Sequence, residues 1–382
     1  MMRTSAATLL LALLVPASLL AQVPPAPPAM PAGSQGVDTS FAPAWGFLAY
    51  DNDSFALTPS DFGQCLAPAG GALVYCGVKS GHLIAFQAAD GRVAWEFKTR
   101  GAVRSKPAMV GPNLFVASSD GCMYRLDATT GKATWDKPFC ADAAFYGDLA
   151  TWQGLVFAAN TIDKVYAIDS TTGTFKWEAH RERPRLMSAE GVASPTVVGD
   201  RVLAGFSDGA LMALDAATGK VLWESDLSAD VRGATDVDTT AVVADGVVYS
   251  SAFGEGPAAL RLSDGERLWR AREFGPSRPL VMGDLLITGT ADGTVVALRR
   301  ADGTMKWRTR LATTAAWSPV AVADAIVVGG DRGLWLLRTS DGAPMVRLSM
   351  IHGARGTPEV AGRRIFFVGG GGTVNAVDVL AP

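Results

Sequence analysis

The feature that most constrains this chain is a turn glycine followed four residues later by tryptophan, repeated along most of its length. The pairs are Gly91/Trp95, Gly131/Trp135, Gly173/Trp177, Gly219/Trp223, Gly265/Trp269 and Gly303/Trp307, and a seventh copy has Gly342 with Val346 in the tryptophan's place. The glycine-to-glycine steps are 40, 42, 46, 46, 38 and 39 residues, a period that suits one four-stranded propeller blade. Residues 201–225 show the unit. Apolar runs at 203–206 and 211–214 are separated by the turn dipeptide Asp208-Gly209. A second turn, Asp215 to Gly219, leads into a third run that reaches Trp223.

The remaining strand of each unit is marked by a short apolar run opened by Ser or Thr and Pro. The openings are Ser105-Lys106-Pro107, Ser194-Pro195, Ser277-Arg278-Pro279, Ser318-Pro319 and Thr357-Pro358. Proline is tolerated at the start of a strand, where no ladder donor is lost. An eighth copy begins near Thr357 and stops after Asp378, before its last strand, whereas the segment 41–50 contains Trp45 and no preceding hairpin. The expected fold is therefore all-β: an eight-bladed propeller of four-stranded antiparallel blades over 41–382, closed by an N-terminal strand that supplies the outer strand of blade eight. Closure removes a free sheet edge. Trp45, Trp95, Trp135, Trp177, Trp223, Trp269 and Trp307 are assigned to a structural ladder, one flat filler at each blade interface, with no ligand role.

Residues 1–21 read as a secretory signal, with Arg3 before an apolar centre and Leu19-Leu20-Ala21 at the cleavage end. The apolar run is short and is broken by Pro16, so no transmembrane segment is expected once the signal is removed. A lipoprotein signal would place Cys where Gln22 stands. Residues 22–40 read as a Pro/Ala/Gly-rich disordered linker. The expected location is the periplasm, with association at the inner face of the outer membrane and no lipid-anchor cysteine. A net charge of −3 argues against general nucleic-acid binding.

Export permits disulfides. Cys65 and Cys76 are symmetric about Gly70-Gly71, and Cys122 and Cys140 about Gly131. The expected bridges are Cys65–Cys76 and Cys122–Cys140; the alternative is four buried thiols. No catalytic residue, metal site or cofactor is expected. The three histidines, His82, His180 and His352, make no ligand pair at short spacing, and His82, next to a repeat turn, is expected to be exposed. There is no haem-attachment motif, no adjacent cysteine pair, no nucleophile elbow and no phosphate loop. Most acidic residues fall in repeat turns, where Asp caps its own backbone.

The irregular places are two long connections. Residues 180–192 carry Arg181, Arg183 and Arg185 followed by Leu186 and Met187, and residues 228–235 lead into Asp236-Val237-Asp238-Thr239-Thr240. Inserts on a repeat scaffold commonly carry binding, and arginine beside apolar residues has the composition of an interface. Arg185, Leu186, Met187, Asp236 and Asp238 are the candidate partner-binding residues. The paired Asp can accept hydrogen bonds from a partner's arginine or tie blade five to its neighbours.

The repeat Asp208-Gly209, Ala213-Leu214-Asp215, Thr218-Gly219, Trp223 resembles the quinoprotein-type (PQQ-like) propeller repeat over roughly residues 66–378. Within that group, residues 236–240 followed by Val242-Val243 and Gly246-Val247-Val248-Tyr249 resemble the BamB family. The resemblance implies a non-enzymatic scaffold in outer-membrane β-barrel protein assembly, a monomer within a complex, docking through two neighbouring loops on a BamA-like subunit. One loop corresponds to Asp236 and Asp238, the other to the stretch 186–195, where Met187 and Ala189 stand for the apolar contacts and Glu190 stands where the family has Arg. Two other functions fit the same repeat: a PQQ-dependent dehydrogenase, and a propeller that binds a ligand in its channel without catalysis.

Overall fold

The computed structural model describes residues 40–49, 61–181, 192–228, 236–252, 254–272 and 277–380; the leader and nearly all of the linker lie outside them. Every regular element among these residues is a β-strand, and the strands form eight four-stranded antiparallel sheets. Blade one is Cys65–Leu66, Leu73–Gly77, His82–Gln87 and Val93–Lys98, running from the inner strand a to the outer strand d. Blades two to seven follow in chain order within residues 108–140, 150–180, 196–226, 242–270, 280–310 and 320–349. Blade eight takes Glu359–Ala361, Arg364–Val368 and Thr373–Leu380 from one end of the chain and the closing strand Ser40–Leu48 from the other. The closing strand pairs with Thr373–Leu380 over its full length, from Ser40 opposite Leu380 to Leu48 opposite Thr373.

Each expected proline stands one residue ahead of its inner strand: Pro107 before Ala108–Val110, Pro195 before Thr196–Val198, Pro279 before Leu280–Met282. There its missing N–H interrupts no ladder.

The tryptophans work between blades. The turn glycine of one blade lies against the indole of the blade before it. A Cβ added to Gly91 would sit 2.6 Å from Trp45 Cδ2, and one added to Gly265 would sit 2.5 Å from Trp223 Cε3. Both glycines also have positive φ, 76° and 75°, so two independent constraints exclude a side chain. Each indole Nε1–H donates to a carbonyl of the following blade: Trp45 to Ala88, Trp95 to Ala128, Trp135 to Ser170, Trp177 to Ala216, Trp223 to Leu262, Trp269 to Arg300 and Trp307 to Thr339. Trp45 is thus a full member of the ladder and joins blade eight to blade one. Val346 now has a reason. Blade eight has no turn between its third and fourth strands, because the fourth arrives from elsewhere in the chain. An indole at 346 would have no glycine turn to dock beneath, and Val346 pairs instead with Leu336.

Both expected disulfides are formed, Cys65–Cys76 and Cys122–Cys140. They join residues directly opposite each other across paired strands. Cys65–Leu66 and Phe139–Cys140 are two residues long, and every other strand described has at least three. The bridges therefore pin the two strands least able to hold themselves by ladder hydrogen bonds. Loops of 11 and 18 residues place each bridge at about 3 kcal/mol of stabilisation.

Two outcomes are expected. Trp45→Ala lowers stability by about 3–5 kcal/mol in urea denaturation, as large an effect as Trp223→Ala; a loss under 1 kcal/mol would mean the closing strand does not share the ladder's packing. In Cys122→Ala/Cys140→Ala, amide exchange accelerates at positions 139 and 140 while the outer strands of the other blades keep their protection.

Candidate functional site

Antiparallel alternation sorts the loops. The turns between strands b and c share one face of the ring with the connections from strand d to the next strand a. Both long connections therefore start and end on this upper face. Arg185, Leu186, Met187, Ala189 and Glu190 lie outside the described residues, as does nearly all of the 228–235 stretch. Their anchoring ends are described.

Arg181 opens the first connection. Its Nε donates to Asp208, and its guanidinium lies 2.7 Å from Glu224. Asp208 belongs to the b–c turn of blade four and Glu224 to its outer strand. The cation is committed to binding blade three to blade four, which leaves the interface expected of the arginine cluster to Arg183 and Arg185, outside the described residues.

The second connection returns at Asp236, which is 1% exposed. Val237 is equally buried: its N–H donates to the Phe206 carbonyl at 3.0 Å, and its Cγ1 would be 2.5 Å from a Cβ on Gly205. Thr239 accepts from Ser251 Oγ at 2.8 Å, and Thr240 Oγ1 accepts from the Ser194 N–H at 3.1 Å. Residues 236–240 thus stitch blades four and five together. The two aspartates have different surroundings. Asp236 is inside, whereas Asp238 is half-buried at the wall of a small depression on the upper face, lined also by Asn160, Asp163, Lys164 and Ser207.

The depression is acidic. Asp163, in the b–c turn of blade three with φ of 60°, accepts from the Ser207 N–H at 3.2 Å and from Ser207 Oγ. Burial pushes the Asp238 carboxyl up to about 7, and the carboxylates of Asp236 and Asp163 push it in the same direction. Lys164, at the same wall, is paired with Asp142 at 3.1 Å. Sequence reasoning missed Asp163: it lies in a different blade from the Asp-x-Asp motif, and its turn carries no mark of its role. His82, expected at the surface, is half-buried, with Nδ1 2.9 Å from Ser80 Oγ. No group of three or more His, Cys, Asp or Glu side chains is placed to hold a metal ion among the described residues.

A family model described as "Outer membrane protein assembly factor BamB" matches residues 44–138, 79–309 and 291–381. The chain belongs to the BamB family. It is 27% identical over 339 residues to the BamB of Yersinia pestis, covering 83% of this chain and 85% of that protein. With the BamB of Escherichia coli K12 it shares 24% identity over 291 residues, covering 62% and 74%. Among solved structures, BamB from Moraxella catarrhalis superposes with a TM-score of 0.75 at 19% identity, covering 88% of this chain and 99% of that one. The quinohemoprotein alcohol dehydrogenase of Comamonas testosteroni superposes with a TM-score of 0.70 at 12% identity, covering 88% and 76%. At such identities the superpositions speak for the fold alone.

The raised Asp238 value fixes a pH dependence. Its folded value of about 7 lies above the ordinary 3.8, so the folded state holds this proton more tightly than the unfolded chain. The stabilisation from this group is complete below about pH 4 and is lost as pH rises through about 7. Asp238→Asn is expected to raise stability by about 1–3 kcal/mol at pH 8 and by little at pH 4. Equal effects at both pH values in thermal melts would show that Asp238 ionises as an ordinary surface carboxyl.

Proposed function

We propose that this chain is a non-enzymatic scaffold in outer-membrane β-barrel protein assembly, acting in the periplasm and docking on a BamA-like subunit through its upper face. The observation that carries this reading is the family match spanning residues 44–381. The geometry supports it. The anchoring ends of the two long connections lie on one face beside a small acidic depression whose rim a partner's arginine can approach, with Asp238 half-buried at its wall and Asp163 fixed by Ser207. A cation arriving there would favour the ionised form of Asp238 and draw its pKa down, so docking would release a proton near neutral pH. No helix among the described residues is long and apolar enough to cross a membrane.

Asp236 is too deeply placed to be altered without disturbing the blade four–blade five junction, so the informative change is Asp238→Arg alone. Immobilised wild-type protein is expected to capture the periplasmic portion of a BamA-like protein. Asp238→Arg is expected to cut capture by about tenfold or more without lowering the melting temperature. Undiminished capture by the variant would remove Asp238 from the interface. Dye reduction on adding pyrroloquinoline quinone, calcium and an alcohol or sugar would overturn the non-enzymatic reading.

A further inference from the structure

A second constellation on the upper face surrounds the mouth of the central channel. Each connection drops into its inner strand through the three-residue step seen as Ser105-Lys106-Pro107 and Ser277-Arg278-Pro279. The middle residues form a relay around the channel. The Lys106 N–H donates to Asp148 Oδ1 at 2.9 Å, the Asp148 N–H to Ser194 Oγ at 2.7 Å, and the Ser194 N–H to Thr240 Oγ1 at 3.1 Å. The channel is narrow here, since side chains of non-adjacent blades meet across it: Lys106 with Glu359 at 2.5 Å and Arg278 with Asp148 at 3.6 Å.

One level nearer the mouth, five successive connections present Trp317, Arg355, Phe62, Arg104 and Tyr146. Phe62 is the hub. Trp317 meets it edge-on at 6.0 Å, and the guanidinium carbons of Arg355 and Arg104 lie 6.0 and 5.8 Å from its ring centre. Arg104 also lies 4.9 Å over the Tyr146 ring. The charges at the level below are paired, but these two arginines are not. Nε of Arg104, Nε of Arg355 and Nε1 of Trp317 are buried without a hydrogen-bond partner, and no carboxylate among the described residues pairs with either guanidinium.

Buried donors without acceptors are costly and uncommon in folded proteins. A guanidinium held against aromatic rings has its face covered, while its terminal Nη–H groups remain available and match the geometry of an oxyanion. We infer that this arc is an oxyanion-binding site: it takes a carboxylate or phosphate group entering the channel from the upper face, with apolar material beside it against Phe62, Tyr146 and Trp317. The Lys106–Glu359 and Arg278–Asp148 pairs close the floor and limit entry to a small terminal or side-chain group. The site is separate from the Asp238 depression and does not depend on partner docking.

Isothermal titration calorimetry on the full disulfide-bonded chain at low ionic strength tests this, with three probes: acetyl-Ala-Glu-Ala-amide, the same peptide with Gln for Glu, and inorganic phosphate. Saturable binding of the Glu peptide with none of the Gln peptide would identify a carboxylate site, and binding of phosphate alone a phosphate site; either supports the inference. Arg104→Gln/Arg355→Gln is expected to weaken binding about tenfold or more. Should that variant fail to fold, added sodium chloride must weaken binding to the unaltered chain, and Trp317→Phe must weaken it too. Absence of saturable heat with every probe, equal binding of the Gln peptide, or affinity indifferent to both arginines and salt would overturn it.

Discussion

The ring depends on one contact, an indole tucked beneath the glycine turn of the next blade. The contact asks for several things at once. The turn must supply positive φ and no side chain, its neighbour a carbonyl for the indole N–H, and the tryptophan's own blade a small residue opposite. Ala85, Ala213 and Ala297 stand directly across from Trp95, Trp223 and Trp307, and all three alanines are fully buried. Where the indole is absent the partner grows: Leu336 faces Val346. Volume across the third and fourth strands is thus conserved while its distribution changes.

Because this contact couples glycine, alanine and tryptophan at fixed spacing, the architecture was legible in the chain before any coordinates. Blade count and the proline-led inner strands follow from positions that repeat, the paired cysteines from their even placement about two turns, and the membership of Trp45 from the strand missing in the eighth copy. Val346 looked like a defect until the break in blade eight explained it. The site was less legible. Asp236 and Asp238 are one residue apart and chemically identical, and nothing in the sequence tells which is inside. The difference comes from Val237 locking against Gly205 and Phe206, and from Asp163, which belongs to another blade.

The channel-mouth arc was hidden for a different reason. Phe62, Arg104, Tyr146 and Arg355 occupy equivalent positions, each two residues before the middle of the step into its inner strand, but they are of three residue types. A repeat search rewards identity, and here the function of the position lies in its variation. Aligning the steps blade by blade and reading that column would have found it. The described residues of the upper face thus include both an acidic depression at blades three to five and unpaired arginines at the channel mouth, on a chain whose net charge is only −3.

Joining Ser40–Leu48 to Thr373–Leu380 also sets an order of events. The two partners are separated by nearly the whole chain, so the costliest loop to close is the one that completes the ring. As the chain emerges, the early segment must wait, its apolar residues and backbone donors uncovered, until the final strands follow. The disulfide-pinned blades one and two can be in place long before. The interval between them and the last pairing is when an escort for the nascent chain would matter most.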